Sequence, residues 1–135
     1  MTNVMETEKK RILVVDDEAS ITRLLKLNLE QTNEYVVRGE NDSKRAMATA
    51  EEFQPDLILL DVMMPGIDGG ELASRFQDNP KFKNVPIVFL TAAATKSEVY
   101  ARGGNVGGLP FLAKPVEISE VVACLKKHLG TEPNR

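Results

Sequence analysis

Asp56-Leu57-Ile58-Leu59-Leu60-Asp61-Val62-Met63-Met64-Pro65 is the stretch that decides the fold. Four consecutive aliphatic residues run straight into an acid, with no alternation of polar and apolar positions. A strand carries such a run when helices cover both of its faces. Two more runs have the same form. Ile12-Leu13-Val14-Val15 ends at Asp16-Asp17, and Ile87-Val88-Phe89-Leu90 ends at Thr91. Tyr35-Val36-Val37 and Leu109 to Ala113 are weaker strand candidates.

Helical patterns lie between these runs. Ile21, Leu24, Leu25 and Leu29 share one face near 19–31. Ala46, Ala50 and Phe53 do so near 43–53, with Asn41 or Asp42 as N-cap. Asp68-Gly69-Gly70-Glu71 has the form of a capping box, opening a helix with Leu72, Ala73 and Phe76 inward. Ile118, Val121, Val122, Leu125 and Leu129 form an amphipathic stripe that Gly130 ends. Strand and helix therefore alternate five times, which predicts a parallel sheet with helices on both faces. The stretch 94–108 is harder to read. Thr95 to Arg102 has helical character, but Gly103-Gly104 and Gly107-Gly108 disfavour its continuation. Pro110 at the start of the last strand makes that strand an edge.

The bulk numbers agree with one ordinary globular domain. The chain has 135 residues, 42% hydrophobic and 27% charged, enough for a real core. A net charge of −3 speaks against direct nucleic-acid binding, which needs a basic face. No apolar run approaches a membrane span, and Met1 to Lys10 does not have the form of a signal peptide, so membrane insertion is not expected. The single cysteine, Cys124, rules out an internal disulfide and suits a reducing, cytoplasmic compartment. The expected organisation is a loose tail over 1–10, one domain over 11–130 and a second tail over 131–135.

Ligands bind open parallel sheets at the carboxyl ends of the strands. Asp16, Asp17, Asp61 and Thr91 all stand at such ends, and Lys114 follows the fifth strand. Taken singly, each has a plain alternative: Asp16-Asp17 as a helix cap, Asp61 as a loop carboxylate, Thr91 as a capping hydroxyl, Lys114 as a surface charge. Brought together, three carboxylates repel one another, and a divalent cation relieves that repulsion. All-oxygen ligands suit Mg²⁺ or Mn²⁺ better than zinc. A carboxylate beside such an ion, an ammonium and a hydroxyl can attack a phosphoryl donor.

At this point the residues show a family likeness. Ile12 to Glu18, Asp56 to Gly69 with its Pro65-Gly66 and Asp68-Gly69, Pro86 to Ala92, and Phe111-Leu112-Ala113-Lys114-Pro115 occur in order. In these motifs the chain resembles a response-regulator receiver domain from about Arg11 to Leu129. The resemblance implies a doubly wound α/β fold: a five-stranded parallel sheet of flavodoxin-like order 2-1-3-4-5 with helices on both faces. It implies Asp61 as phosphoacceptor. The metal would be held by Asp16, Asp17, Asp61 and the Met63 backbone carbonyl, and the expected ion is Mg²⁺, with Mn²⁺ an alternative. Thr91 and Lys114 would contact the phosphoryl group, Thr91 and Phe111 would form the switch pair, and the Lys114–Pro115 peptide would be cis. The implied partners are a sensor histidine kinase or phosphotransfer protein and a downstream protein target. The chain would be a phosphoacceptor switch that assists only its own phosphorylation and dephosphorylation, not a turnover enzyme.

Two departures qualify the likeness. Gly103 to Pro110 differs from the usual family sequence, and the spacing from Thr91 to Lys114 is about one residue long. The fourth helix of the family should therefore be short, bent or mobile here. Met63 and Ala93, each two residues after a site residue, are apolar and cannot orient an attacking water, which predicts slow self-hydrolysis. A haloacid-dehalogenase-like phosphatase would need an acid where Met63 stands, and also a cap domain. A structural adaptor would not need the five-residue set. No output domain follows Leu129 in this sequence, so the expectation is either a stand-alone receiver or a piece of a longer chain, with the stand-alone form favoured.

Overall fold

The computed structural model describes residues 9–92, 109–129 and the backbone of 105–106. The Thr95–Arg102 helix, Ala93, the glycine pairs and the residues 1–8 and 130–135 lie outside the described residues. The elements are β1 (Lys10–Val15), α1 (Ala19–Glu30), β2 (Tyr35–Glu40), a 3₁₀ turn (Ser43–Arg45), α2 (Ala46–Phe53), β3 (Leu57–Asp61), α3 (Gly69–Asp78), β4 (Ile87–Thr91), β5 (Asn105–Val106), β6 (Leu109–Ala113) and α4 (Ile118–Leu129).

Five strands are parallel, in spatial order β2-β1-β3-β4-β6, the expected 2-1-3-4-5 arrangement. The pleat explains why the runs are apolar throughout. Leu13, Val15, Ile58, Leu60, Ile87 and Phe89 face one way, onto Ala46, Ala50, Leu72, Ala73 and Phe76 of α2 and α3. Their sequence neighbours Ile12, Val14, Leu57, Leu59, Val88 and Leu90 face the other way, onto Leu25, Leu29, Val121 and Leu125 of α1 and α4. Successive strand residues point to opposite faces, so two helical layers need every position apolar. Phe76 and Phe82 close the α3 end edge to face, with centroids 5.5 Å apart.

Three details differ from the sequence reading. The last strand is not a bare edge: Asn105–Val106 pairs antiparallel with Pro110 and Leu109. Parallel pairing with β4 covers only Phe111 to Ala113, so the first two residues of β6 are left for another partner. Second, β1 begins at Lys10, one residue before the expected domain start, and β2 continues past Val37 to Glu40. Third, the helix expected over 43–53 opens as a 3₁₀ turn, with Asp42 capping Lys44 N–H at 3.0 Å.

The α3 cap forms as read, Asp68 Oδ1 accepting from Glu71 N–H at 2.8 Å, but Glu71 pairs with Arg75 and does not return the bond. The outer edge of β2 is protected at Val37. Its N–H donates to Glu30 Oε2 at 2.9 Å, and its carbonyl accepts from Lys26 Nζ at 3.0 Å. That leaves no open backbone pair there for another strand to join.

Candidate functional site

The strand order reverses between β1 and β3, and the crevice at their carboxyl ends is where open sheets of this kind place a ligand. Register brings the site residues to one level. Val15 is opposite Leu60, Asp61 opposite Leu90, and Thr91 opposite Ala113. The residues just beyond the strand ends, Asp16-Asp17 and Lys114, therefore rise around Asp61. Two main-chain bonds fix the rim: Val62 N–H to Leu90 O at 3.1 Å and Lys114 N–H to Thr91 O at 2.8 Å. The Lys114–Pro115 peptide is cis.

Asp16, Asp61 and Thr91 are buried, whereas Asp17 is exposed at the mouth. One carboxylate oxygen from each of Asp16, Asp17 and Asp61 lies within 4.8 Å of the others. Lys114 Nζ is 2.8 Å from Asp16 Oδ2, 3.2 Å from Glu18 Oε1 and 3.6 Å from Asp61 Oδ2. Asp16 Oδ1 accepts from Glu18 N–H at 2.9 Å. Its other oxygen, Oδ2, has the ammonium close by but lacks a hydrogen bond of good geometry. Among the described residues, Asp61 Oδ1 takes only a long bond, 3.4 Å, from Met63 N–H.

These contacts leave the carboxylates under-compensated. Burial, then the charge of Asp16, pushes the Asp61 carboxyl up to about 6, against the pull of Lys114 and the Met63 N–H. Burial alone would lower the Lys114 ammonium, but Asp16, Asp61 and Glu18 outweigh it and hold the ammonium more firmly protonated than usual. Three carboxylates face one shared ammonium, and a buried carboxylate oxygen lacks a proper donor. That donor set can hold a metal ion, and its all-oxygen chemistry is that of a hard divalent cation.

The structure thus gathers Asp16, Asp17, Asp61 and Lys114 at one point, with Thr91 at the end of the neighbouring strand. Met63 is exposed at the rim, 67% accessible, in the turn that follows Asp61. Phe111 is buried in the layer under α2 and α3, in register with Phe89. Three contributors escaped the sequence reading. Glu18 shares Lys114 across 96 residues. Asn41, a cap candidate by sequence, donates to Asp16 O at 2.8 Å and Thr22 Oγ1 at 3.1 Å, holding the turn that carries the acids. Ser43 bonds the loop after Asp61. A polar residue in the β2–α2 connection, the loop beside the Asp16 turn, was the only signal for the last two. Cys124 is half-buried on α4.

Comparison with known proteins agrees with this geometry. The family model described as the response regulator receiver domain matches residues 12–126. The chain is 40% identical over 121 residues to the transcriptional regulatory protein ResD of Bacillus subtilis, covering 90% of this chain and 48% of that protein. It is 38% identical over 117 residues to the phosphate regulon transcriptional regulatory protein PhoB of Pseudomonas aeruginosa, covering 87% and 50%. The chain spans about half the length of these curated relatives. Among solved structures it is similar to the chemotaxis response regulator CheY4 of Vibrio cholerae, with a TM-score of 0.75, 29% identity and coverage of 90% and 99%. A signal receiver domain of a histidine kinase from Syntrophus aciditrophicus matches with a TM-score of 0.75, 27% identity and coverage of 93% and 94%.

Proposed function

The chain belongs to the response regulator receiver domain family, and from that premise we propose that it is a two-component switch charged at Asp61. One observation carries the assignment to that residue. Asp61 is a buried carboxylate at the end of β3 with an ammonium 3.6 Å away and two further acids within metal-sharing distance.

Asp16, Asp17, Asp61 and the Met63 carbonyl would hold Mg²⁺, or Mn²⁺ in its place. When bound, such an ion neutralises charge on the transferring phosphoryl oxygens. The chain's own residues do the rest. An Asp61 carboxylate oxygen attacks phosphorus, the bond from phosphorus to the donor's histidine nitrogen breaks, and the electron pair leaves with the imidazole. Lys114 sits where it can contact a phosphoryl oxygen and offset the added charge. Thr91, buried at the end of β4, supplies the hydroxyl that follows the phosphoryl group, and Phe111 is the aromatic paired with it in the switch. The phosphoryl group then biases a conformational equilibrium that a partner protein reads.

The donor is a histidine kinase or phosphotransfer protein, and the recipient of the signal is a protein; direct nucleic-acid contact forms no part of the reading. The chain does not turn over a substrate. No helix among the described residues is long and apolar enough to cross a membrane, and the same reading puts the chain in the cytoplasm. Acetyl phosphate with Mg²⁺, followed by intact mass, tests the function. An adduct of about 80 Da that is absent from Asp61→Asn is expected. An unmodified wild-type chain overturns the switch, and continuous release of phosphate from phosphate esters would indicate an enzyme.

A further inference from the structure

The loop between Asp61 and α3 is bonded at Pro65 and Ile67 by one buried side chain from a different crossover. Ser43 stands at the start of the 3₁₀ turn after β2 and is 2% exposed. Its hydroxyl donates to Pro65 O at 2.9 Å and accepts from Ile67 N–H at 3.0 Å. One hydroxyl thus satisfies two main-chain groups of the loop. Between them, Gly66 has φ +87, and its backbone lies so close to Ser43 that an added Cβ would be 3.1 Å from the hydroxyl oxygen and 3.3 Å from Lys44 Cε. The chain arches over Ser43 here because glycine can take that conformation and leaves the space empty.

The far end of the same loop is anchored separately. Gly69 N–H donates to Val62 O at 2.8 Å, and Met64 is buried in the adjoining core. Met63 lies between these points. Its main chain is held although its side chain is exposed.

We propose that Ser43 is a positioning residue for the metal and phosphoryl site: its hydroxyl staples Pro65–Ile67 so that the Met63 main chain is presented to the ion beside Asp61. This rests on the functional reading above. The chemistry is that of an outer support, which acts on a ligand's place and not on the reacting atoms. Without the hydroxyl, the Ile67 N–H and Pro65 carbonyl must turn to water, and the loop gains conformations in which the Met63 carbonyl is misplaced. Ion binding then has to order the loop again, so affinity falls while chemistry at saturating ion is preserved.

The test uses the full chain with Ser43→Ala, Gly66→Ala and a control, Thr49→Ala. Thr49 is also buried, and its hydroxyl donates to Glu40 Oε1 at 2.6 Å and not to the Pro65–Ile67 loop. Three quantities are read: amide exchange at Ile67 without metal, the Mg²⁺ dissociation constant by calorimetry, and the Mg²⁺ dependence of phosphorylation by acetyl phosphate. In Ser43→Ala, Ile67 exchange should quicken by about tenfold or more. Mg²⁺ binding should weaken by about threefold to tenfold, at or below the low end for direct partners of a ligand. The rate at saturating Mg²⁺ should stay near wild type. Gly66→Ala, which pushes the loop off Ser43 from the exposed side, should weaken Mg²⁺ likewise, and it decides alone if Ser43→Ala does not fold. Thr49→Ala should bind Mg²⁺ as wild type does. Wild-type Mg²⁺ affinity in the Ser43 and Gly66 variants overturns the staple. A wild-type chain that takes no phosphoryl group overturns the functional reading instead.

Discussion

Replacing Asp61 by asparagine removes a charge from a place where burial and Asp16 already oppose it. The carboxyl stands at about 6, raised from an ordinary 3.8. At about 1.4 kcal/mol per unit, the ionised form carries a penalty of up to about 3 kcal/mol relative to the unfolded chain. The folded chain holds this proton more tightly than the unfolded one. Stability therefore falls as pH rises from about 4 to about 6, and the full penalty is present above that window. Asparagine keeps an oxygen for the Met63 N–H but gives up the attraction of Lys114 at 3.6 Å. The net gain for Asp61→Asn should be about 1–2 kcal/mol, which for a domain of this size raises Tm by roughly 3–8 °C. Thermal and urea unfolding without divalent metal, at about pH 8 and again at about pH 4.5, would measure it. The gain should shrink at the lower pH, where wild-type Asp61 is itself protonated. Added Mg²⁺ should stabilise the wild type more than the variant, because only the wild type presents all three acids. A variant less stable than wild type at the higher pH, or a gain equal at both, would refute the reasoning.

Other residues give sharper contrasts. Lys114→Met leaves Asp16 and Asp61 buried without their cation, so stability at neutral pH should drop by about 3 kcal/mol, with the loss shrinking on acidification; urea midpoints across pH would show it. At Gly69 an added Cβ would be 2.7 Å from Val62 Cα and closer still to the Asp61 carbonyl oxygen, whereas at Gly70 the nearest atom is 3.5 Å away. Gly69→Ala should therefore cost about 2 kcal/mol or more and slow phosphorylation, with Gly70→Ala near neutral in the same denaturation and acetyl phosphate assays. Phosphorylated Asp61 should decay over many minutes, since Met63 is apolar and cannot orient a water; loss within seconds in the presence of Mg²⁺ would contradict this.

Among the described residues, the expected strands and helices formed because their signals are local. Four aliphatic residues in a row between polar ends fit a strand covered on both faces, and β1, β3 and β4 divide their residues between the two layers accordingly. The capping of α3 by Asp68 was equally local. The strand expected over Tyr35–Val37 stopped short of the observed end at Glu40, and the Asn105–Val106 strand was not expected. Tyr35–Glu40 alternates buried and exposed residues only as far as Arg38, and a two-residue strand has no periodicity to detect. Asn41 was readable as a cap candidate because asparagine is a favoured cap, but its actual partner, the Asp16 carbonyl, is 25 residues away.

The sequence by itself determined that acids end β1 and β3, that a hydroxyl ends β4 and that a lysine follows β6. Side-chain pattern and strand termini are properties of short segments, and parallel sheets gather strand ends by construction. Tertiary structure alone decided how those groups balance. Which ammonium contacts which carboxylate, why Asp61 holds its proton to about 6, and that Ser43 fastens the loop beyond it all depend on distances between segments 22 to 98 residues apart. Burial makes those distances matter, because a charge or hydroxyl removed from water must find its partner within the protein.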